Sequence, residues 1–235
     1  MKRKSLTMIL CLLTCLSLVG VGFASWVISA GDKEVVTGNI VVDTVEDKRI
    51  ELTVTPLSGK DIILNGPAGA ADGWLTYSGS QTEQLKVSFK CLVAYKDTTK
   101  TFTDASVLKA PIATFTEPTG NTAYDSAKTN KCFALASGTV DTLDFTDGVN
   151  VSDLTVEDGK VVFTVTVAYE WGDIFGNVNP FTFYKTKDVN ADCGDAVNSD
   201  ESATWGDHAA YYLGLLDAVD TGSVAYNLTI QVDFN

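Results

Sequence analysis

From Val161 to Trp171 every odd position is large and apolar: Val161, Phe163, Val165, Val167, Tyr169 and Trp171. The even positions between them are Val162, Thr164, Thr166, Ala168 and Glu170. A period of two is the repeat of an extended chain, whose alternate side chains face opposite sides of a sheet. The same alternation runs through Leu85, Val87, Phe89, Cys91, Val93 and Tyr95, and again through Val224, Tyr226, Leu228, Ile230, Val232 and Phe234. Three such runs commit the chain to half-buried strands with one core face and one wetter face. Six apolar side chains on one phase of the last run are worth very roughly 9–18 kcal/mol if fully buried, an upper bound. That is as large as the net stability of a typical domain, about 5–15 kcal/mol, so this run reads as a core strand.

Weaker strands are expected at Ile40–Val45, Ile50–Val54, Ile62–Leu64, Ile112–Phe115, Cys132–Ala136 and Val149–Val156. Turn residues separate them: Asn65-Gly66-Pro67, Pro118-Thr119-Gly120-Asn121, Asp147-Gly148 and Glu157-Asp158-Gly159-Lys160, the last with the look of a hairpin turn. Many strands without regular helices between them point to an all-β antiparallel sandwich or barrel. One helix interrupts the pattern near residues 203–218. Trp205, Ala209, Tyr212, Leu213 and Leu216 follow helical spacing, and Thr204 with Asp207 resembles a capping box with Asp in place of Glu. Its apolar stripe is expected to lie on the sheet as a crossover into the last strand.

The chain has 235 residues, with 17 Lys+Arg against 30 Asp+Glu and a formal charge of −13. That balance argues against a nucleic-acid partner, which needs clustered cations. Three of the cations, Lys2, Arg3 and Lys4, precede an uncharged run from Ser5 to Gly31. This is the order of a secretory signal peptide. Gly22 and Ala24 are small side chains at the third and first positions before a cut, so cleavage is expected after Ala24, giving Ser25 as the mature N-terminus. Ile28-Ser29-Ala30 is a weaker site. A retained membrane anchor is the competing reading, since about 20 apolar residues span a bilayer. Leu12-Leu13-Thr14-Cys15 is a poor lipidation box. Cleavage removes three positive charges and takes the formal charge from −13 to −16. The expected division is a signal peptide over 1–24, an N-terminal segment over 25–34 and a β-sandwich over 35–235.

Chemistry is sparse in this sequence. Cys91, Cys132 and Cys193 remain after cleavage, without a CxxC or Cys/His spacing for zinc. They allow one disulfide and leave a thiol over, and Cys91 lies on the apolar phase of its strand. The single histidine, His208, has Thr204 and Tyr212 four residues to either side, so no HExxH motif is present. Nucleotide-loop and nucleophile-elbow motifs are absent too. Asp188-Val189-Asn190-Ala191-Asp192-Cys193-Gly194-Asp195 alternates oxygen ligands as a calcium loop does, but glycine and the closing glutamate are out of register. An acidic polar loop is the expectation there. Trp171, Phe175, Phe181, Phe183 and Tyr184 read as core aromatics meeting a loop, with a carbohydrate-stacking surface as the alternative. No enzyme activity, cofactor or metal is expected.

The glycine-ended hydrophobic segment with Ala24, then Trp26, then Gly38-Asn39-Ile40-Val41-Val42-Asp43 resembles the TasA/camelysin family. These are exported proteins of Gram-positive bacteria, processed by a SipW-type signal peptidase. The aspartate that often follows the aromatic closely in that family comes here only at Asp32. The resemblance covers about a fifth of the chain. It implies a jelly-roll-like sandwich and a secreted structural role in extracellular fibres or biofilm matrix. The apolar segment Ser25, Trp26, Val27 and Ile28 would then pair as a strand with a neighbouring copy, or with other matrix proteins. Camelysins are described as metallopeptidases, which makes a cell-surface peptidase the runner-up, and a surface adhesin that does not polymerise is a third reading.

Overall fold

The computed structural model describes residues 37–41, 49–64, 71–72, 75–76, 83–221 and 225–235. The expected signal peptide, its cleavage point at Ala24 and Ser25, and the segment Ser25, Trp26, Val27 and Ile28 lie outside the described residues. The strands are β1 (Thr37–Val41), β2 (Ile50–Pro56), β3 (Ala71–Asp72), β4 (Leu75–Thr76), β5 (Lys86–Tyr95), β6 (Ile112–Thr116) and β7 (Phe133–Leu135). They continue with β8 (Gly138–Val140), β9 (Leu143–Phe145), β10 (Val149–Val151), β11 (Thr155–Glu157), β12 (Lys160–Trp171) and β13 (Ala225–Gln231). Three helices accompany them: α1 (Thr122–Thr129), α2 (Pro180–Tyr184) and α3 (Trp205–Thr221).

The fold is therefore largely β, in mostly antiparallel sheets. The larger sheet runs β10-β12-β5-β2, and β11 and β7 also pair with β12. Its register sets Val161, Phe163, Val165 and Val167 opposite Val93, Cys91, Phe89 and Val87, with Leu52 and Val54 of β2 beyond. Every odd residue of β12 from Val161 to Trp171 is buried. The smaller sheet has the order β1-β13-β6. Tyr226, Leu228 and Ile230 of β13 are buried completely. Side chains from both sheets and from α3 join one continuous core. Phe115 of β6 meets Tyr169 of β12 edge-on, with ring centroids 5.9 Å apart. A second, small core of Ala136, Phe145 and Ala168 lies under the β8–β9 hairpin.

Several expectations need correction. β1 runs parallel to β13, pairing Thr37 with Ala225 and Val41 with Thr229, so the sheets are not wholly antiparallel. β1 begins earlier than expected, at Thr37, and positions 42–45 of the expected strand lie outside the described residues. The expected strand at Val149–Val156 is two short strands, β10 and β11, each paired with β12. Ile62–Leu64 forms isolated bridges, Ile63 to Gln84 among them, and not a continuous strand. The helix expected near 203–218 is α3, and α1 and α2 are additions to it. Asn121 caps α1, its Oδ1 accepting from the Tyr124 backbone N–H at 3.0 Å, where the sequence suggested a turn alone.

Candidate functional site

The one histidine is fixed by two capped helices. At the start of α3, Thr204 Oγ1 accepts from the Asp207 N–H at 3.3 Å, and Asp207 Oδ2 accepts from the Thr204 N–H at 2.9 Å. This reciprocal box sets the first turn, as the sequence suggested. At the start of α2, Asn179 Oδ1 accepts from the Phe181 N–H at 3.0 Å and Pro180 opens the helix. The Asn179 amide also donates to Glu83, tying α2 to the entry of β5. These two ends bring Tyr184 to His208, with its hydroxyl 2.6 Å from Nδ1.

His208 is only 1% exposed, a packed helix residue. Its ring lies 4.5 Å from Tyr212, 5.2 Å from Trp205, 5.7 Å from Tyr184 and 6.2 Å from Phe183, centroid to centroid. Burial holds its pKa below the usual imidazole value, Asp195 pulls it upward, and Lys187 adds to the lowering. A substrate could reach this ring only if α2 or α3 moved away. Tyr184 is fully buried, and burial raises its pKa.

The aromatic stretch faces mostly inward. Trp171, Phe175, Phe181 and Tyr184 are buried, and Phe175 meets Trp171, Phe183, Tyr184 and Tyr212 edge-on. Phe183 and Trp205 are half-buried, and Lys187 Nζ lies 5.0 Å and 4.2 Å from their ring centroids. A lysine of the same chain thus covers the aromatic faces that a sugar ring would need.

In the acidic loop, Asp188 Oδ1 accepts from the Asn190 N–H at 3.1 Å and Asp192 Oδ1 from the Gly194 N–H at 2.8 Å. These carboxylates shape the turns that carry them. Among the described residues no group of three or more His, Cys, Asp or Glu side chains converges to hold a metal. Cys91, Cys132 and Cys193 are buried free thiols, not a disulfide.

The sheet borders are the remaining candidate. β2 ends at Pro56, which has no N–H to offer, and the next residue, Leu57, is 58% exposed. β6 is an uncharged strand, Ile112-Ala113-Thr114-Phe115-Thr116, with Ile112 60% exposed and β10 running beside it. β1 stands at the border of the smaller sheet, joined there to β13. Sequence reasoning treated Ile112–Phe115 only as a weak strand. The prolines that bracket it, Pro111 and Pro118, were the available sign of an edge, because proline is confined to sheet borders and turns. No helix among the described residues is long and apolar enough to cross a membrane. No family model, no curated protein and no solved structure matches this chain.

Proposed function

We propose that this chain is the precursor of a secreted structural protein of an extracellular matrix. On this reading a SipW-type signal peptidase cuts after Ala24. The mature subunit, a jelly-roll-like sandwich without enzymatic activity, then joins the next copy through Ser25, Trp26, Val27 and Ile28. One observation carries the proposal: β1, the first described strand, joins a sheet border beside β13 across nearly the whole length of the chain. Parallel neighbours cannot be made by a tight turn, so β1 is a strand added from a distance. The apolar segment precedes this added strand by few residues. From Ser25 to Thr37, twelve residues reach roughly 40 Å when extended, at about 3.3 Å each. That is enough to leave one sheet and enter another. An added strand gains main-chain hydrogen bonds and pockets for alternate side chains. Head-to-tail addition yields filaments unless its geometry closes a ring.

The test compares purified protein beginning at Ser25 with protein beginning at Glu34. Light scattering should grow for the first and stay flat for the second. Equal growth would remove the segment from the mechanism. No growth of either under any salt or pH would favour a non-polymerising adhesin.

A further inference from the structure

His208 sits where several elements meet. Tyr184 and Phe183 of α2 face it, Lys187 follows α2, Asp195 acts on it from the acidic loop, and Trp205 and Tyr212 flank it on α3. Cys132 and Cys193 lie close to Tyr184 and Tyr212. We infer that His208 is an acid-sensitive latch, which holds α3 against α2 while its ring is neutral and loosens that contact when the ring is protonated.

Two features of the site oppose a charged ring. It is buried, and burial disfavours the ionised form of any side chain. The Tyr184 hydroxyl 2.6 Å from Nδ1 is indifferent to the charge, since it donates to a bare nitrogen and accepts from a protonated one. Aromatic faces would ordinarily welcome a cation, but the Lys187 ammonium already lies over Trp205 and Phe183. A second positive charge at His208 meets that ammonium instead. Asp195 works in the opposite direction and is outweighed by burial.

The direction with pH follows. The folded ring binds its proton less readily than the unfolded one, whose value is 6.5. Stability from this site is therefore complete above pH 6.5 and falls as the pH drops below it, until the folded ring also titrates. Asp61 and Glu170, whose carboxyls burial raises, contribute with the opposite sign. α3 leads into β13 after three residues, so its loosening reaches the strand that carries β1. The inference does not depend on polymerisation.

The experiment uses the mature chain, in which His208 gives the one pair of imidazole Cε1–H and Cδ2–H resonances of a proton NMR spectrum. Its titration midpoint should lie below 6.5 and move upward in Lys187→Met. Between pH 7.5 and 5.5 the unfolding constant in urea should rise more in the parent protein than in His208→Gln, by at most about tenfold, the ceiling for one ordinary imidazole in the unfolded chain. Amide exchange in α3 should speed up over the same range beyond the change in β5 and β12. A midpoint at or above 6.5, no response to Lys187→Met, or parallel stability curves would overturn the latch. Uniform loss of protection across the molecule would overturn its local character. Should His208→Gln fail to fold, the titration and its response to Lys187→Met decide the matter.

Discussion

At the scale of single residues, the tightest site is Gly172, where β12 ends. Its N–H donates to the Cys132 carbonyl at 3.1 Å, and a Cβ added there would lie 2.0 Å from the Lys131 carbonyl oxygen. Its φ of −88° suits any residue, so the demand for glycine is one of space. Gly172→Ala must push two backbones apart and should cost about 1–3 kcal/mol, as overpacking typically does, measured by urea unfolding. An unchanged midpoint would mean the 131–132 turn yields freely. The thiols lead to a second expectation. Cys91 and Cys132 are fully buried, and burial pushes both up to about 12. A thiol reacts as its thiolate, so neither should react with an aromatic disulfide reagent at pH 8 in the folded protein, and both should react in denaturant. Prompt labelling of Cys91 in the native state would contradict the core described here.

At the scale of elements, four two-residue turns that join paired strands or bridges have positive φ at both centres: Asp141-Thr142, Asp147-Gly148, Asp158-Gly159 and Asn198-Ser199. This geometry matches the right-handed twist of the strands it joins. Asp-Gly marked two of these turns in the sequence, because glycine bears the left-handed conformation without strain. Asp141-Thr142 carried no such mark, and so the β8–β9 hairpin went unread. Thr142, at φ +70°, is a β-branched residue where glycine fits best. Thr142→Gly should therefore stabilise the protein by about 0.5–1 kcal/mol, the strain relieved less the greater freedom of glycine when unfolded. A lower melting temperature would show that the Thr142 side chain contributes more than its strain costs. β5 and β13 were legible because burial alternates along them. β12 was legible by its apolar period, but the wetter face expected for it is largely absent, since Val162, Thr166 and Ala168 are buried as well. The short elements were not legible. α1 buries only Tyr124 and Ala127, too few positions to establish a helical period. The capping box of α3 was legible because Thr204 and Asp207 are three residues apart. The burial of His208 was not, because Tyr184, its partner, lies 24 positions away. Leu228→Ala, in the middle of β13, should cost about 2–5 kcal/mol and weaken the hold on β1 as well as β6.

At the scale of the whole molecule, charge sets the terms on which copies can meet. Lysines on the described surface are drawn into pairs within the chain: Lys86 with Asp141 at 2.9 Å, Lys90 with Glu157 at 3.0 Å, Lys131 with Asp173 at 3.3 Å, and Lys128 with Glu117. Exposed pairs of this kind add little to stability. They do spend positive charge that could otherwise attract a neighbour's carboxylates. A subunit cut after Ala24 would carry −16 and so present an excess of negative charge to another copy. Repulsion between copies extends over about 30 Å at 0.01 M ionic strength and about 8 Å at 0.15 M. Strand addition, if it joins these subunits, needs contact at a few ångströms and gains nothing from long-range attraction. The mature protein beginning at Ser25 should therefore remain small at 10 mM sodium chloride and grow at 150 mM, followed by light scattering at pH 7.5. Holding the pH there keeps His208 neutral and the carboxylates charged, so screening is the only variable. Growth that is equally fast at both salt concentrations would show that charge does not restrain assembly, even if the N-terminal segment still drives it.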